Sequence, residues 1–161
     1  MSARRNLHAT GLVLGRTGLL LRGPSGAGKS LLALTLLDEW AMRGLTARLV
    51  SDDRVELAVE AGRLVMYPPK AIEGLIELRG RGIVSRPFAP RARLHLVVDL
   101  VEALERMLEE EALEAELDGI RLSRCPVPRR GLIESSHQLL LVREALRSLP
   151  PPRRRARQIS T

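Results

Sequence analysis

Leu19-Leu20-Leu21-Arg22-Gly23-Pro24-Ser25-Gly26-Ala27-Gly28-Lys29-Ser30-Leu31-Leu32-Ala33-Leu34 is the stretch on which the fold turns. It opens as an apolar strand, passes through a loop of glycines, and continues with leucines at helical spacing. Gly23 to Ser30 matches the P-loop pattern G-x-x-x-x-G-K-[ST] in full. The spacing has a physical reason. Glycines let successive backbone N–H groups turn inward around a phosphate. The helix that follows presents its N-terminus to the same anion. Lys29 is placed to reach the β- and γ-phosphates, and the Ser30 hydroxyl to bind Mg²⁺. Gly23, Pro24, Ser25, Gly26, Ala27, Gly28, Lys29 and Ser30 are therefore the expected nucleotide-binding residues, with a nucleoside triphosphate as the ligand. A strand, a P-loop, a helix and a second strand begin an α/β sandwich.

Outward from the loop, Gly11–Leu14 and Gly18–Arg22 read as two short strands joined by the turn Gly15-Arg16-Thr17. Lys29–Met42 reads as a helix ended by Gly44. Leu45–Ser51 is an apolar strand that stops at two aspartates, and Val55–Val59 and Arg63–Tyr67 form a hairpin around Ala61-Gly62. After Pro68-Pro69, Ile72–Leu78 reads as strand or short helix. Gly82–Ser85 and Leu94–Leu100 read as strands. Val101–Leu117, rich in Glu, Leu and Ala, reads as a helix. Gly119–Pro128 reads as strand or loop, and Ile133–Leu149 as a helix. The hairpins imply a mixed sheet. Residues 1–149 are expected to form one P-loop domain. Residues 150–161, with Pro150-Pro151-Pro152 and Arg153-Arg154-Arg155-Ala156-Arg157, read as a basic, disordered tail.

Composition narrows the options. The 161 residues are 45% hydrophobic and 28% charged, which suits one soluble domain. Aromatics are only 2%, too few for the stacking platforms of a single-strand nucleic-acid site. The net charge of +7 is almost all arginine, since Lys29 and Lys70 are the only lysines. An acidic protein partner or weak nucleic-acid contact would use that excess. Cys125 is the single cysteine, so no internal disulfide forms, in keeping with a reducing, cytoplasmic setting. No signal peptide or membrane-spanning run is visible. His8, His95, His137 and Cys125 show no metal-ligand spacing.

Two further motifs carry chemistry. Leu49-Val50-Ser51-Asp52-Asp53-Arg54 ends an apolar strand with two carboxylates, and ligands of open α/β sheets gather at such strand ends. One aspartate can hold a metal while the other takes a proton from an acceptor hydroxyl. Glu77-Leu78-Arg79-Gly80-Arg81-Gly82-Ile83 sets a carboxylate and an arginine ahead of two glycines. Its Glu can complete a Mg²⁺ site that also uses phosphate oxygens.

His8, Gly23–Ser30, Ser51-Asp52-Asp53-Arg54-Val55 and Gly74–Ile83, in this order, together resemble the catalytic domain of HPr kinase/phosphorylase. That bacterial enzyme acts on a serine of the phosphocarrier protein HPr. The resemblance is strong over about 6–85 and continues weakly to about 149. It implies a phosphoenolpyruvate-carboxykinase-like form of the P-loop fold, and ATP-dependent serine phosphorylation of HPr with Mg²⁺. It implies that Lys29 contacts the transferred phosphate, that Ser30 and Glu77 bind Mg²⁺, and that Asp52 is the general base, which leaves Asp53 as the aspartate of the pair that serves the metal. In reverse phosphorolysis the same Asp52 would be the general acid. His8 takes the place of the family's active-site histidine, and Arg106 is the candidate for its downstream catalytic arginine. The resemblance also implies a homo-oligomer, a hexamer in the family. The chain looks like the short proteobacterial form without the N-terminal domain. It departs from the family at Arg81, at Ser85–Pro90 and around Cys125–Gly131. Two other readings stay open: a P-loop kinase of a small molecule, and a non-catalytic nucleotide-binding regulator.

Overall fold

The computed structural model describes residues 3–150. Eleven strands and two helices follow in this order: β1 Arg5–Leu7, β2 Thr10–Leu14, β3 Thr17–Arg22, α1 Lys29–Met42, β4 Ala47–Ser51, β5 Val55–Glu60, β6 Arg63–Tyr67, β7 Leu75–Leu78, β8 Gly82–Ser85, β9 Ala92–Val101, β10 Glu114–Leu117, β11 Ile120–Pro128 and α2 Ser135–Arg147. The sequence expectations hold for α1 to the residue, and within a residue or two for most strands. β1 was not anticipated. Gly119–Pro128 resolves to strand β11, and Ile72–Leu78 to a single 3₁₀ turn followed by β7. Residues 151–161, most of the expected tail, lie outside the described part.

One expectation fails. Residues 101–117 do not form a helix but an extended run of bends, one 3₁₀ turn at Glu110–Leu113, and β10. Helix propensity alone rarely holds a short helix in water; an apolar stripe must find something to pack on. Here Leu104, Met107, Leu108 and Leu113 all face solvent, with Met107 89% exposed. The stretch is anchored instead by its end, where β10 pairs antiparallel with β11.

A nine-stranded mixed sheet organises the molecule, running β1-β5-β6-β9-β3-β2-β4, with β11 and β10 branching from β9. β9 is long enough to take different partners at its two ends. Its first residues pair antiparallel with β6, and its later ones pair parallel with both β3 and β11. The strands beside the P-loop are buried on both faces, so their apolar runs are continuous rather than alternating. Leu19 and Leu21 face α1, while Leu20 faces the layer built by β5 and β6. Leu96 and Val98, against Val97, divide in the same way.

The close join of β3 to β9 depends on Gly18. A Cβ there would lie 1.9 Å from the carbonyl oxygen of Arg93, a distance that no side chain survives. At the same point the pairing register shifts, and the Gly18 N–H donates to Nδ1 of His95 at 3.0 Å. Burial, with nearby Arg93 adding to it, lowers the pKa of His95, so at neutral pH it is a neutral acceptor in the sheet.

This topology positions the site. β9 and β11 run parallel to β3, and β4 does too, because each of β3 and β4 is antiparallel to β2. The carboxyl ends of four strands therefore open at one edge, where ligands of α/β sheets bind. The P-loop, Asp52-Asp53, Glu102 and Arg129-Arg130 follow those four ends. The β7–β8 hairpin is brought to the same edge by a strap. The Leu49 N–H donates to the Pro87 carbonyl, and the Ala89 N–H to that of Leu49.

Candidate active site

At this edge lies a cavity of about 340 Å³, lined by Ser25, Gly26, Gly28, Lys29, Ser30, Leu31, Asp52, Asp53, Glu77, Leu78, Arg79 and Arg130. Three sequence motifs separated by up to fifty residues thus meet in one space. α1 begins here without a side-chain cap and without an acidic residue in its first turn. Its first backbone N–H groups are left for an anion, with the positive end of the helix dipole behind them. Gly28 precedes the helix at φ 95°, and a Cβ there would press on Cβ of Arg130 at 3.1 Å. Both facts require glycine. Not every P-loop residue faces the cavity: Ala27 packs into the core, and Gly23 and Pro24 act through their carbonyls.

Lys29 is buried, at 6% exposure. Its ammonium donates to the carbonyls of Gly23 at 2.7 Å and Pro24 at 3.2 Å. An ammonium has three donors, so one remains for a phosphate. Burial lowers its pKa, and the charges of Asp53 and Asp52 oppose that shift.

Asp52 is the hub of the site. Its Oδ1 accepts from Ser30 Oγ at 2.6 Å and from Thr10 Oγ1 at 3.1 Å, and its Oδ2 accepts from the Glu77 N–H at 3.2 Å. The carboxylate thereby ties together the P-loop helix, β2 and the β7–β8 hairpin. Asp53 turns the other way, in the left-handed region at φ 66°, and its Oδ1 pairs with His8 Nε2 at 2.6 Å. Ser30, Asp52, Asp53, His8 and Glu77 therefore form one constellation with Lys29.

Arg106 is not in it. It sits in the exposed stretch after β9, and the cavity's arginines are Arg79 and Arg130. Arg130 follows β11 and is braced by its neighbours. Its N–H donates to the Ala27 carbonyl, and Arg129 holds both Glu102 and the Arg130 carbonyl. Sequence reading passed over Arg130, whose only signal is the Arg129-Arg130-Gly131 run at the end of a proline-bounded strand. It also passed over Thr10, which reads as one more strand residue.

Asp99, at the end of β9, serves structure rather than the cavity. Burial works against its ionisation, but hydrogen bonds from Arg22 and Arg124 outweigh that and lower its pKa. Arg22 grips it with two donors, at 2.7 and 2.8 Å. Among the described residues, no group of three or more His, Cys, Asp or Glu side chains stands close enough to hold a metal ion alone. No helix there is long and apolar enough to cross a membrane.

A P-loop on a mixed sheet, an aspartate against its serine, and an arginine-bearing hairpin over the cleft define a P-loop α/β domain with a phosphate-binding cleft. The family model described as HPr Serine kinase C-terminal domain matches residues 1–132, and the chain belongs to that family. An HPr kinase/phosphorylase of Geobacillus thermodenitrificans (strain NG80-2) is 39% identical over 127 residues, covering 70% of this chain and 38% of that protein. One from Streptococcus thermophilus (strain ATCC BAA-491 / LMD-9) is 33% identical over 140 residues, covering 80% and 43%. The chain spans less than half the length of these curated relatives. The solved Hpr(Ser) kinase/phosphatase from Coxiella burnetii superposes with a TM-score of 0.70 at 28% identity, covering 89% of this chain and 88% of that one.

Proposed function

We propose that this chain transfers the γ-phosphoryl group of ATP to a serine hydroxyl of a partner protein, the phosphocarrier HPr. The observation that carries the reading is Asp52, held by three donors at the mouth of the P-loop cavity. In the forward reaction the serine oxygen bonds to the γ-phosphorus, the bond from that phosphorus to the β-bridging oxygen breaks, and ADP leaves. Asp52 takes the serine proton as general base. In phosphorolysis an oxygen of inorganic phosphate bonds to the phosphoserine phosphorus, the bond from that phosphorus to the serine oxygen breaks, pyrophosphate leaves, and Asp52 acts as general acid toward the serine oxygen. Little covalent work falls to the protein, so positioning and charge neutralisation dominate.

The P-loop amides and the start of α1 cradle the phosphates, and Lys29 spends its third donor on the transferred group. Arg79 and Arg130 neutralise charge that develops in the cleft. Arg130 takes the role first assigned to Arg106, because it lines the cavity. His8 holds Asp53 and so fixes the turn that carries Asp52. The oxygen-only donor set of Ser30, Asp53 and Glu77 fits Mg²⁺, which prefers few protein oxygens plus phosphate. When bound, Mg²⁺ would supply charge neutralisation between the phosphates. A homo-oligomer and a cytoplasmic setting complete the proposal.

The test is a phosphotransfer assay with Mg²⁺–ATP and purified HPr from the same organism, run beside Asp52→Ala. Phosphoserine on HPr that disappears in the variant is the expected result. ATP binding without transfer would overturn the reading and favour a nucleotide-binding regulator.

A further inference from the structure

Three consecutive residues, His8, Ala9 and Thr10, all hold the Asp52-Asp53 turn. His8 pairs with the Asp53 carboxylate, the Ala9 N–H donates to the Asp53 carbonyl at 3.1 Å, and Thr10 reaches both aspartates. Ladder pairing between β2 and β4 stops at Gly11 opposite Ser51, just after a register shift. Beyond that point a side chain takes over from the backbone ladder. Thr10 is fully buried. Its hydroxyl donates to Asp52 Oδ1 at 3.1 Å and accepts the Asp53 N–H at 3.2 Å.

We propose that Thr10 is a positioning residue of the nucleotide site: its hydroxyl clasps the two aspartates together and aims the Asp52 carboxylate at Ser30. A non-glycine residue at φ 66° is uncommon and costs free energy unless its surroundings hold it there. The Asp53 N–H would be left without this acceptor if Thr10 lost its hydroxyl. Asp52 Oδ1 would lose one of its two donors, and with it the constraint that keeps it 2.6 Å from Ser30 Oγ. The neighbouring Ser51 shows that burial alone does not create such a role. Its Oγ is equally buried but has no hydrogen-bond partner among the described residues.

This inference rests on the reading of Asp52 and Ser30 as the base and metal-side groups of the site, so its test includes a measurement that needs no transfer. The chain and its Thr10→Val, Thr10→Ser and Ser51→Ala variants are titrated with a fluorescent ATP analogue, in EDTA and in Mg²⁺. The same variants are then assayed for transfer to serine. Thr10→Val keeps the side-chain shape and should bind the analogue in EDTA as wild type does. Its Mg²⁺-dependent gain in affinity should fall by roughly tenfold, and kcat by roughly 10–100-fold with little change in KM, as for groups that orient a metal site from behind. Thr10→Ser should restore both, and Ser51→Ala should change neither. If valine does not fold there, Thr10→Ala against Thr10→Ser makes the same comparison. A Thr10→Val chain with wild-type Mg²⁺ dependence overturns the inference, as does a wild-type chain whose affinity ignores Mg²⁺. A wild type with Mg²⁺-dependent binding but no transfer overturns the proposed reaction alone, and the variants still decide the role of Thr10.

Discussion

The cleft at the end of β3 and the stretch after β9 differ in almost every respect, although both lie at the same edge of the sheet. In the cleft, charged groups are shared: one carboxylate serves three elements, and one lysine holds its own loop. In residues 102–113 five glutamates and four large apolar residues face solvent. That stretch is pinned near its two ends, where Arg129 holds Glu102 and Arg124 donates to the Ala112 carbonyl. The difference teaches that order here comes from where polar groups are anchored, not from local propensity. The segment with the stronger helical composition is the one without a helix.

The comparison breaks first at Lys29. Lys29→Met removes the charge proposed to neutralise the transferred group, and single-turnover transfer should fall by about 10³-fold, the usual scale for one such electrostatic contact. A loss below tenfold would mean that the cleft does not work through this residue. Asp99 is the link between the two regions, since Arg22 next to the P-loop and Arg124 beneath residue 112 both hold it. Asp99→Asn should lower unfolding free energy in urea by about 2 kcal/mol, less than full removal of a buried partner. The pH dependence has a definite sign. Because the folded pKa of Asp99 is depressed, its contribution is present above the ordinary carboxyl value of about 3.9 and is lost as pH falls through the lower folded value. The variant should therefore lose stability at pH 7 and show a shallower acid limb; an unchanged limb would remove Asp99 from the link. The smallest effect is expected at Met107. Met107→Ser should shift stability by less than about 0.5 kcal/mol, because the side chain buries almost nothing. A larger loss would show that this stretch packs on something after all.

The sequence was most legible where structure is local. The P-loop and α1 announce themselves through a contiguous motif and helical leucine spacing, and Asp52-Asp53 through an abrupt end to an apolar run. What stayed hidden is what only topology brings together. Arg130 is one arginine among many until β11 pairs with β9 and sets it over Gly28. Thr10 is indistinguishable from any strand residue until β2 meets the turn after β4. Arg106 was the candidate for the family's downstream arginine because it follows the strand through Val98-Asp99-Leu100, and order along the chain says nothing of which way an extended segment runs. Residues 101–117 were misread because composition reports what a helix would tolerate, not whether a surface waits to receive it.

The placement of β9 has a consequence for how the protein is made. The P-loop strand β3 takes its parallel neighbour from a segment translated much later; Arg22 and its partner Asp99 are 77 residues apart. At synthesis rates of about 5–20 residues per second, the loop waits roughly 4–15 s for that neighbour. During this interval β3 has only β2 beside it, and the cleft lacks the strand ends of β9 and β11 that close it on the other side. The nascent chain must complete its central strand before any phosphate-bearing ligand finds the whole cleft and can stabilise the fold by binding it.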